Sequence, residues 1–294
     1  MTAVVLWQAQ VPLAAWTTYR VGGNAQWFAC PRTLAELQAL LAWVTREQVP
    51  LTVLGAGSNV LISDRGIEGL VLCTRYLRGA TWEKQTGQVI AAAGMPLPQL
   101  AWEAARRGWR GLAWAVGIPG TVGGAVVMNA GAQGGCTAEY LVSAEVWMDG
   151  QIRTLTPADL DYRYRDSRLQ RTLGVVLSAR WQCCPGDDPL ALLQQTGAYL
   201  HHRRTTQPYH LPSCGSVFRN PPQYAAGWLI EQSGLKGFQI GRAQVSPLHA
   251  NFIVNLGGAT AQNIYDLICY VQATVAERWG IHLQPEVKFL GAFG

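Results

Sequence analysis

The sequence predicts an α+β fold in two or three lobes, and three observations lead to this prediction. The chain has 294 residues, which at roughly 150 residues per domain predicts about two domains. Hydrophobic residues make up 49% and charged residues only 14%, a balance that excludes intrinsic disorder. Predicted strands and helices are interleaved along the chain and joined in places by hairpins, which favours α+β.

The first third of the chain alternates helix and strand signals. Thr33-Leu34-Ala35-Glu36 has the capping-box pattern that opens a helix, here running to about Glu47. The elements predicted after it are a strand at Leu51–Leu54, a loop at Gly55–Asn59, an apolar run at Val60–Ile62, a strand at Val89–Ala93 and a helix at Leu97–Arg107 ended by Gly108.

Three further elements are predicted later in the chain. The segment from Val146 to Ile152 is a hairpin with an Asp149-Gly150 turn. Asp188-Pro189 starts a helix that runs to about His202. The clearest helix follows Thr260, because apolar residues repeat on one face as far as Trp279, and Gly280 ends it.

Charge and cysteine content bound the compartment and the partners. The net charge of +5 is diffuse, so it does not indicate nucleic acid and fits an anionic small ligand at least as well. Seven cysteines without a CxxC pair indicate reduced thiols in the cytoplasm. The first basic residue is Arg20, so the N-terminus lacks the pattern of a signal peptide.

One uncharged stretch, residues 111–138, is long enough to span a bilayer. It contains eight glycines and Pro119, which disfavours a continuous helix exposed to lipid. Glycine-dense, uncharged backbone is better suited to close approach to a bound ligand. We therefore expect no membrane span.

Two glycine segments are candidate ligand sites. Gly55–Asn59 follows a strand, where backbone N–H groups can form a nest for a diphosphate, although such a loop is more often an ordinary tight turn. Val60 stands where a Rossmann fingerprint needs glycine, so that fold is disfavoured. The segment from Gly117 to Ala132 lets the main chain lie against a flat or charged group; a buried structural loop is the alternative.

Three polar side chains are candidates for chemistry, each with a structural alternative. Arg165 can hold a carboxylate in a bidentate pair, or lie on a surface strand. Ser216 lies between turn-forming residues and is by itself most simply a turn former. Glu286 is an acid in an apolar strand, or one half of a surface pair with Lys288.

All five histidines lie beyond residue 200, and their spacing makes a zinc site improbable; no metal is expected.

Taken together and in order, these segments resemble the bacterial UDP-N-acetylenolpyruvoylglucosamine reductase family, flavoenzymes of peptidoglycan precursor synthesis. The blocks that carry the resemblance span nearly the whole chain: Thr17–Gly23, Leu54–Ser63, Gly117–Ala132, Tyr164–Ser167, Gly215–Pro221 and Pro285–Val287. The length is similar to that of the shorter subtype, which lacks an inserted tyrosine loop over the substrate.

The resemblance implies an FAD-binding fold of the vanillyl-alcohol oxidase (PCMH-type) class in two lobes, plus a C-terminal α+β substrate-binding domain. The lobes are expected at 1–75 and 76–187 and the substrate-binding domain at 188–286, while a C-terminal strand within 287–294 can return to the first lobe.

The resemblance also implies the site residues. The family's three catalytic positions fall on Arg165, Ser216 and Glu286. The expected FAD-binding residues are Leu54, Gly55, Ala56, Gly57, Ser58, Asn59, Val60, Gly117, Ile118, Gly120, Thr121, Gly123, Gly124 and Asn129. The expected substrate-binding residues are Tyr164, Arg203, Arg204, Arg219, Asn220 and His249. Some members carry Lys where Gln207 stands, so the diphosphate contact is expected to shift to Arg203 or Arg204.

The implied activity is the reduction of UDP-N-acetylglucosamine enolpyruvate to UDP-N-acetylmuramate by NADPH through non-covalent FAD, in cell-wall synthesis and hence in cell shape and division. Neither a nucleic-acid nor a membrane partner is expected, and the oligomeric state stays open. Two rival interpretations are an FAD-dependent alcohol or lactone oxidase of the same fold and a non-catalytic nucleotide-sugar binding protein. Some oxidases of this fold tether FAD to a histidine in the FAD domain, and this chain has none before His201.

Overall fold

The computed structural model describes residues 7–294. In these residues the α-helices are α1 Leu34–Glu47, α2 Leu97–Arg106, α3 Val122–Met128, α4 Thr137–Tyr140, α5 Pro189–Thr206, α6 Ala226–Gln232 and α7 Ala261–Trp279. The strands are β1 Gln8–Pro12, β2 Asn24–Ala29, β3 Leu51–Leu54, β4 Val60–Ile62, β5 Ile67–Cys73, β6 Ala80–Glu83, β7 Gln88–Ala92, β8 Trp109–Arg110, β9 Gly131–Ala132, β10 Gly135–Cys136, β11 Leu141–Met148, β12 Gln151–Leu155, β13 Val175–Gln182, β14 Cys184–Pro185, β15 Gln239–Ile240, β16 Ala243–Val245, β17 Ile253–Asn255 and β18 Lys288–Leu290.

The chain divides into two compact units. Within the described residues, the first unit comprises 7–8, 28–56 and 70–203, and the second comprises 9–27, 57–69 and 204–294. The division runs through the first glycine loop, between Ala56 and Gly57. The expected three-part assignment of two FAD lobes and a substrate domain stays a prediction, and residues 1–6 of its first lobe lie outside the described residues.

The first unit is built on an antiparallel five-stranded sheet in the order β12-β11-β13-β7-β6. The predicted hairpin forms its edge, with Asp149 and Gly150 both at positive φ in the turn between β11 and β12. Side chains from the sheet, α2 and α3 form one buried core that includes Val89, Leu100, Val126, Val146 and Trp181. In the same unit β3 and β5 pair in parallel, which places Leu54 opposite Cys73.

The second unit packs α6 and α7 against the antiparallel sheet β15-β16-β17. Its core contains Tyr19, Leu61, Phe218, Leu229 and Ile264, so widely separated parts of the sequence meet in one apolar cluster. The C-terminal strand β18 pairs in parallel with β4. That pairing brings the end of the chain beside the strand that follows the first glycine loop.

The helix ends follow from local capping. Thr33 Oγ1 accepts a hydrogen bond from the Glu36 N–H at 3.1 Å, as the capping-box pattern predicts for α1. Thr260 and Asn263 form the reciprocal capping box of α7, and Gly280 ends that helix in the left-handed region. The Asp64 carboxylate adds a distant cap, accepting from the N–H groups of Ala261 and Gln262 at 2.9 Å each.

Helix α5 and the second glycine segment differ from the prediction, the first in extent and the second in type. Helix α5 continues four residues beyond the predicted end at His202, as far as Thr206. The second glycine segment, interpreted as a loop, contains the short helix α3. All seven cysteines are free thiols in the structure. Among residues 7–294, no helix has both the length and the apolar character needed to cross a bilayer.

Candidate active site

Two backbone carbonyls of the first glycine loop accept hydrogen bonds from other segments of the chain. The Ala56 carbonyl accepts from Arg75 Nη2 at 2.9 Å, and the Gly57 carbonyl accepts from the Thr18 N–H at 2.9 Å. The N–H groups of Ala56 and Gly57 donate to none of the described residues. Gly57 has a φ of +69°, the left-handed conformation that favours glycine. Backbone N–H groups left available beside a left-handed residue are suited to an anion.

The second glycine segment is fastened to the sheet of the first unit. Thr121 caps α3 by accepting from the Gly124 N–H at 3.3 Å, and the Gly123 N–H donates to the Ala93 carbonyl at 2.8 Å. A Cβ on Gly55 would lie 2.7 Å from Thr121 Oγ1. The parts of the two glycine segments that belong to the first unit are therefore in contact, and the contact requires glycine at position 55.

Gly57→Ala is expected to reduce the free energy of unfolding by about 2–4 kcal/mol, combining left-handed strain with overpacking. A Cβ at this position would overlap the carbonyl oxygen of Trp16. The matched control is Gly150→Ala, at φ +78° with nothing within 4 Å of the added Cβ, for which strain alone predicts a loss of about 1–2 kcal/mol. Urea denaturation measures the free energy of unfolding of both variants, and the FAD content of each is determined alongside. Equal losses of unfolding free energy would show that the Trp16 contact does not contribute to the effect of Gly57→Ala.

Arg203 lies against the second glycine segment. Its side-chain methylene occupies the space that a Cβ on Gly117 would fill, and the residue is half-buried near the end of α5. The neighbouring Arg204 is exposed and belongs to the second unit. Of the two arginines expected near a diphosphate, Arg203 is therefore the one held beside a glycine segment.

Arg165 occupies a tight turn of the first unit. Arg163 and Asp166 face each other across the turn, and Arg165 has a φ of +55°. Its guanidinium donates through Nη2 to the Gly131 carbonyl at 2.6 Å and lies 5.0 Å from the centre of the exposed Tyr164 ring. The surface strand that was the structural alternative for this segment is thus a two-residue turn.

Ser216 and Glu286 are brought together in the second unit. The Glu286 N–H donates to the carbonyl of Val217, the residue after Ser216, at 2.7 Å, and Phe218 pairs with Pro285. Glu286 precedes β18 by two residues and is not inside a strand as the apolar pattern predicted. The Asn59 side-chain amide donates to the Glu286 carbonyl at 3.1 Å. The first glycine loop thereby fixes the backbone that carries the carboxylate.

The buried side chain of Asn251 supports the serine segment and was not identified from the sequence. Asn251 clamps Phe218 by accepting from its N–H at 3.0 Å and donating to its carbonyl at 2.8 Å. Burial, with a contribution from the charge of Glu286, raises the pKa of the Cys214 thiol to about 12. Burial and the neighbouring Cys214 raise the pKa of the Tyr19 phenol. The only signal in the sequence was a polar Asn within the apolar run around Phe252.

The other expected site residues differ in the hydrogen bonds that they make within the protein. Arg219 has a buried Nε that bonds to none of the described residues. Asn220 Oδ1 accepts from the Ala226 N–H at 2.9 Å and so caps α6. His249 Nδ1 accepts from the Asn251 N–H at 3.2 Å. Asn129 ends α3, donating to the Arg163 carbonyl at 2.9 Å and accepting from the Ala138 N–H at 3.0 Å.

Comparison with known proteins agrees with this arrangement. A family model described as an FAD-binding domain matches residues 25–156, and one described as the C-terminal domain of UDP-N-acetylenolpyruvoylglucosamine reductase matches residues 207–290. The reductase of that name from Trichormus variabilis is 58% identical over 287 residues, covering 97% of this chain and 87% of the relative. The chain belongs to the UDP-N-acetylenolpyruvoylglucosamine reductase family.

Further relatives of the reductase family support the assignment. The family member from Synechocystis is 53% identical over 289 residues, covering 97% of this chain and 91% of the relative. The crystal structure of the reductase from Thermus caldophilus superimposes with a TM-score of 0.82 at 35% identity, covering 97% of this chain and all of that one. The predicted family and fold class, an FAD-binding α+β fold with a C-terminal α+β domain, are confirmed.

Proposed function

We propose that this chain reduces UDP-N-acetylglucosamine enolpyruvate to UDP-N-acetylmuramate with NADPH through bound FAD, as a cytoplasmic step of peptidoglycan precursor synthesis. The observation that carries the proposal is the hydrogen bond from Asn59 to the Glu286 carbonyl. This hydrogen bond connects the first glycine loop, which is suited to a cofactor diphosphate, to the backbone of Glu286, the acid suited to the substrate.

The two glycine segments are assigned to FAD. The holding residues are Leu54, Gly55, Ala56, Gly57, Ser58, Asn59, Val60, Gly117, Ile118, Gly120, Thr121, Gly123, Gly124 and Asn129. The available N–H groups of Ala56 and Gly57 support a role in binding the diphosphate. When bound, FAD supplies two-electron transfer between NADPH and the substrate double bond. Residues 1–75 and 76–187 would form the FAD lobes, and 188–286 the substrate domain.

The catalytic roles follow from charge development on the substrate. Hydride addition to the enolpyruvyl group places negative charge on the carbon beside the carboxylate, which delocalises as an enolate. Arg165 stabilises that charge through its planar fork, and Glu286 hydrogen-bonds the same group. Ser216 delivers the proton that completes the reduction.

Substrate binding is assigned to Tyr164, Arg203, Arg204, Arg219, Asn220 and His249. Arg219 supports this most directly, because its buried Nε has no partner among the described residues and a buried guanidinium N–H favours an anionic acceptor. The packing of Arg203 against Gly117 supports a phosphate contact beside the FAD segment.

The spectrum of the purified protein under anaerobic conditions tests this function. NADPH should bleach the visible flavin band, and UDP-N-acetylglucosamine enolpyruvate should restore it with formation of UDP-N-acetylmuramate. In a parallel sample exposed to air, flavin reduction by an alcohol or lactone and reoxidation by oxygen, without NADPH, would identify an oxidase. Protein without flavin, or with flavin that NADPH does not reduce, would identify a binding protein.

The FAD is expected to be non-covalent, because the chain has no histidine before His201 to tether it. Acid precipitation of the yellow protein should leave the colour in the supernatant. The control is reconstitution: FAD added to the refolded pellet should restore the spectrum. Colour retained in the pellet would contradict the expectation.

A further inference from the structure

The turn that carries Arg165 is held in an uncommon conformation. Arg163 and Asp166 exchange two backbone hydrogen bonds of 3.1 Å each, leaving Tyr164 and Arg165 as the two residues between them. Arg165 has a φ of +55°, which a residue with a large side chain rarely adopts. Such a conformation persists only where the surrounding structure imposes it.

Gln170 supplies one such constraint. Its side-chain Nε2 donates to the carbonyl of Arg165 at 3.0 Å and to the carbonyl of Val127 at 3.2 Å. Val127 belongs to α3, so this one amide fastens the backbone of Arg165 to the second glycine segment. The Ser167 hydroxyl donates to the same Val127 carbonyl at 2.6 Å and anchors the chain between them.

The opposite side of the turn is held by a second amide, since Asn129 donates to the Arg163 carbonyl at 2.9 Å. The two amides therefore grip the carbonyls on either side of Tyr164. On the outer side, Asp166 pairs with Arg171. With the backbone fixed in this way, the Arg165 guanidinium reaches the Gly131 carbonyl at 2.6 Å.

The Oε1 atom of Gln170 indicates that the N–H groups of the same amide determine how the side chain is oriented. Its Oε1 is buried and accepts no hydrogen bond from the described residues. A buried acceptor without a partner is destabilising, so the orientation of the amide is set by what its N–H groups bind. Those groups bind the Arg165 and Val127 carbonyls.

We infer that Gln170 is a positioning residue for Arg165, holding the backbone orientation from which the guanidinium meets the substrate carboxylate. The inference rests on the catalytic role proposed above for Arg165. The hydrogen bonds of the Gln170 side chain go to the backbone carbonyls of Arg165 and Val127. It acts by joining the turn to the helix of the FAD-binding segment.

Two substitutions in the FAD-loaded protein test the inference. Gln170→Glu keeps the shape but replaces the N–H donors with a carboxylate facing two carbonyls, and Gln170→Ala removes the side chain. The matched control is Gln182→Ala, because Gln182 Nε2 also bridges backbone carbonyls of the first unit, those of Thr86 and Cys183 at 3.1 Å each and that of Gly87 at 3.4 Å. Both Gln170 variants should slow flavin reoxidation by substrate about 10- to 100-fold, as a misplaced catalytic group does. FAD content and flavin reduction by NADPH should match those of the control.

A double-mutant cycle then separates positioning from general structural support. In an Arg165→Ala background, Gln170→Ala should cause no further slowing of the substrate step. Losses that multiply, or equal slowing of the NADPH and substrate steps, would overturn the inference. Hydrogen exchange at the Asp166 amide supplies a readout that is independent of activity, and it should be faster in both Gln170 variants than in Gln182→Ala. Failure of the wild-type protein to reduce the substrate would refute the proposed function. Hydrogen exchange at the Asp166 amide that is no faster in the Gln170 variants than in Gln182→Ala would refute the positioning role alone.

Discussion

Ser216→Ala is expected to slow flavin reoxidation by UDP-N-acetylglucosamine enolpyruvate by about 10²- to 10⁴-fold, the range for loss of a positioned general acid. Flavin reduction by NADPH should stay near the wild-type rate, because that half-reaction moves a hydride and needs no proton from the protein. The two steps are measured separately by anaerobic stopped-flow absorbance.

The fold should tolerate Ser216→Ala. The Ser216 segment is held through its neighbours, since the Val217 carbonyl accepts from Glu286 N–H and Phe218 is clamped by Asn251. Ser213→Ala, three positions earlier in the same segment, is the matched control and should leave both half-reactions unchanged. Ser216→Cys should recover part of the rate, because a thiol still carries a transferable proton. Equal slowing of both half-reactions by Ser216→Ala would make the serine a structural turn residue.

The elements that could be predicted from sequence are those set by neighbouring residues. Thr33 with Glu36, Asp149 with Gly150, and Thr260 before its apolar face each act over a few positions, and each produced the predicted element. Helix α3 was missed, because adjacent glycines disfavour a helix by propensity. It forms because the N–H groups of Val122 and Gly123 donate to the Met95 and Ala93 carbonyls, bonds that only the tertiary structure supplies.

Contacts between distant segments could not be predicted in this way. Asp64 caps a helix that begins 197 positions later, and Asn59 bonds to a residue 227 positions away. No local pattern marks either partner. The assignments of Arg165, Ser216 and Glu286 came from resemblance to a family, and they stay proposals. Gln170 and Asn251 escaped notice because a glutamine or asparagine that binds backbone carbonyls leaves no periodic signal in the sequence.

Arg165→Lys is expected to slow flavin reoxidation by substrate by on the order of 10²-fold or more, although the positive charge is kept. The guanidinium has a fixed fork of donors, so it can donate to the Gly131 carbonyl and still present N–H groups to a carboxylate. A lysine ammonium is a compact point charge and cannot make both contacts in the same plane. FAD content and flavin reduction by NADPH should remain as in wild-type protein, which confines the loss to the substrate step.

The same turn offers the control for Arg165→Lys. The Arg163 side chain is 71% exposed and makes a salt bridge of 3.4 Å with Asp161, the kind of surface pair that contributes little. Arg163→Lys should therefore stay within about twofold of the wild-type rate, since only an exposed ion pair is altered. Both substitutions replace arginine with lysine, and the two positions lie two residues apart in the same turn. Any general effect of lysine on the turn would therefore appear in both variants. A near-normal rate of the substrate step in Arg165→Lys would show that Arg165 is not a catalytic residue. The left-handed backbone that Gln170 and Asn129 hold would then have no catalytic purpose.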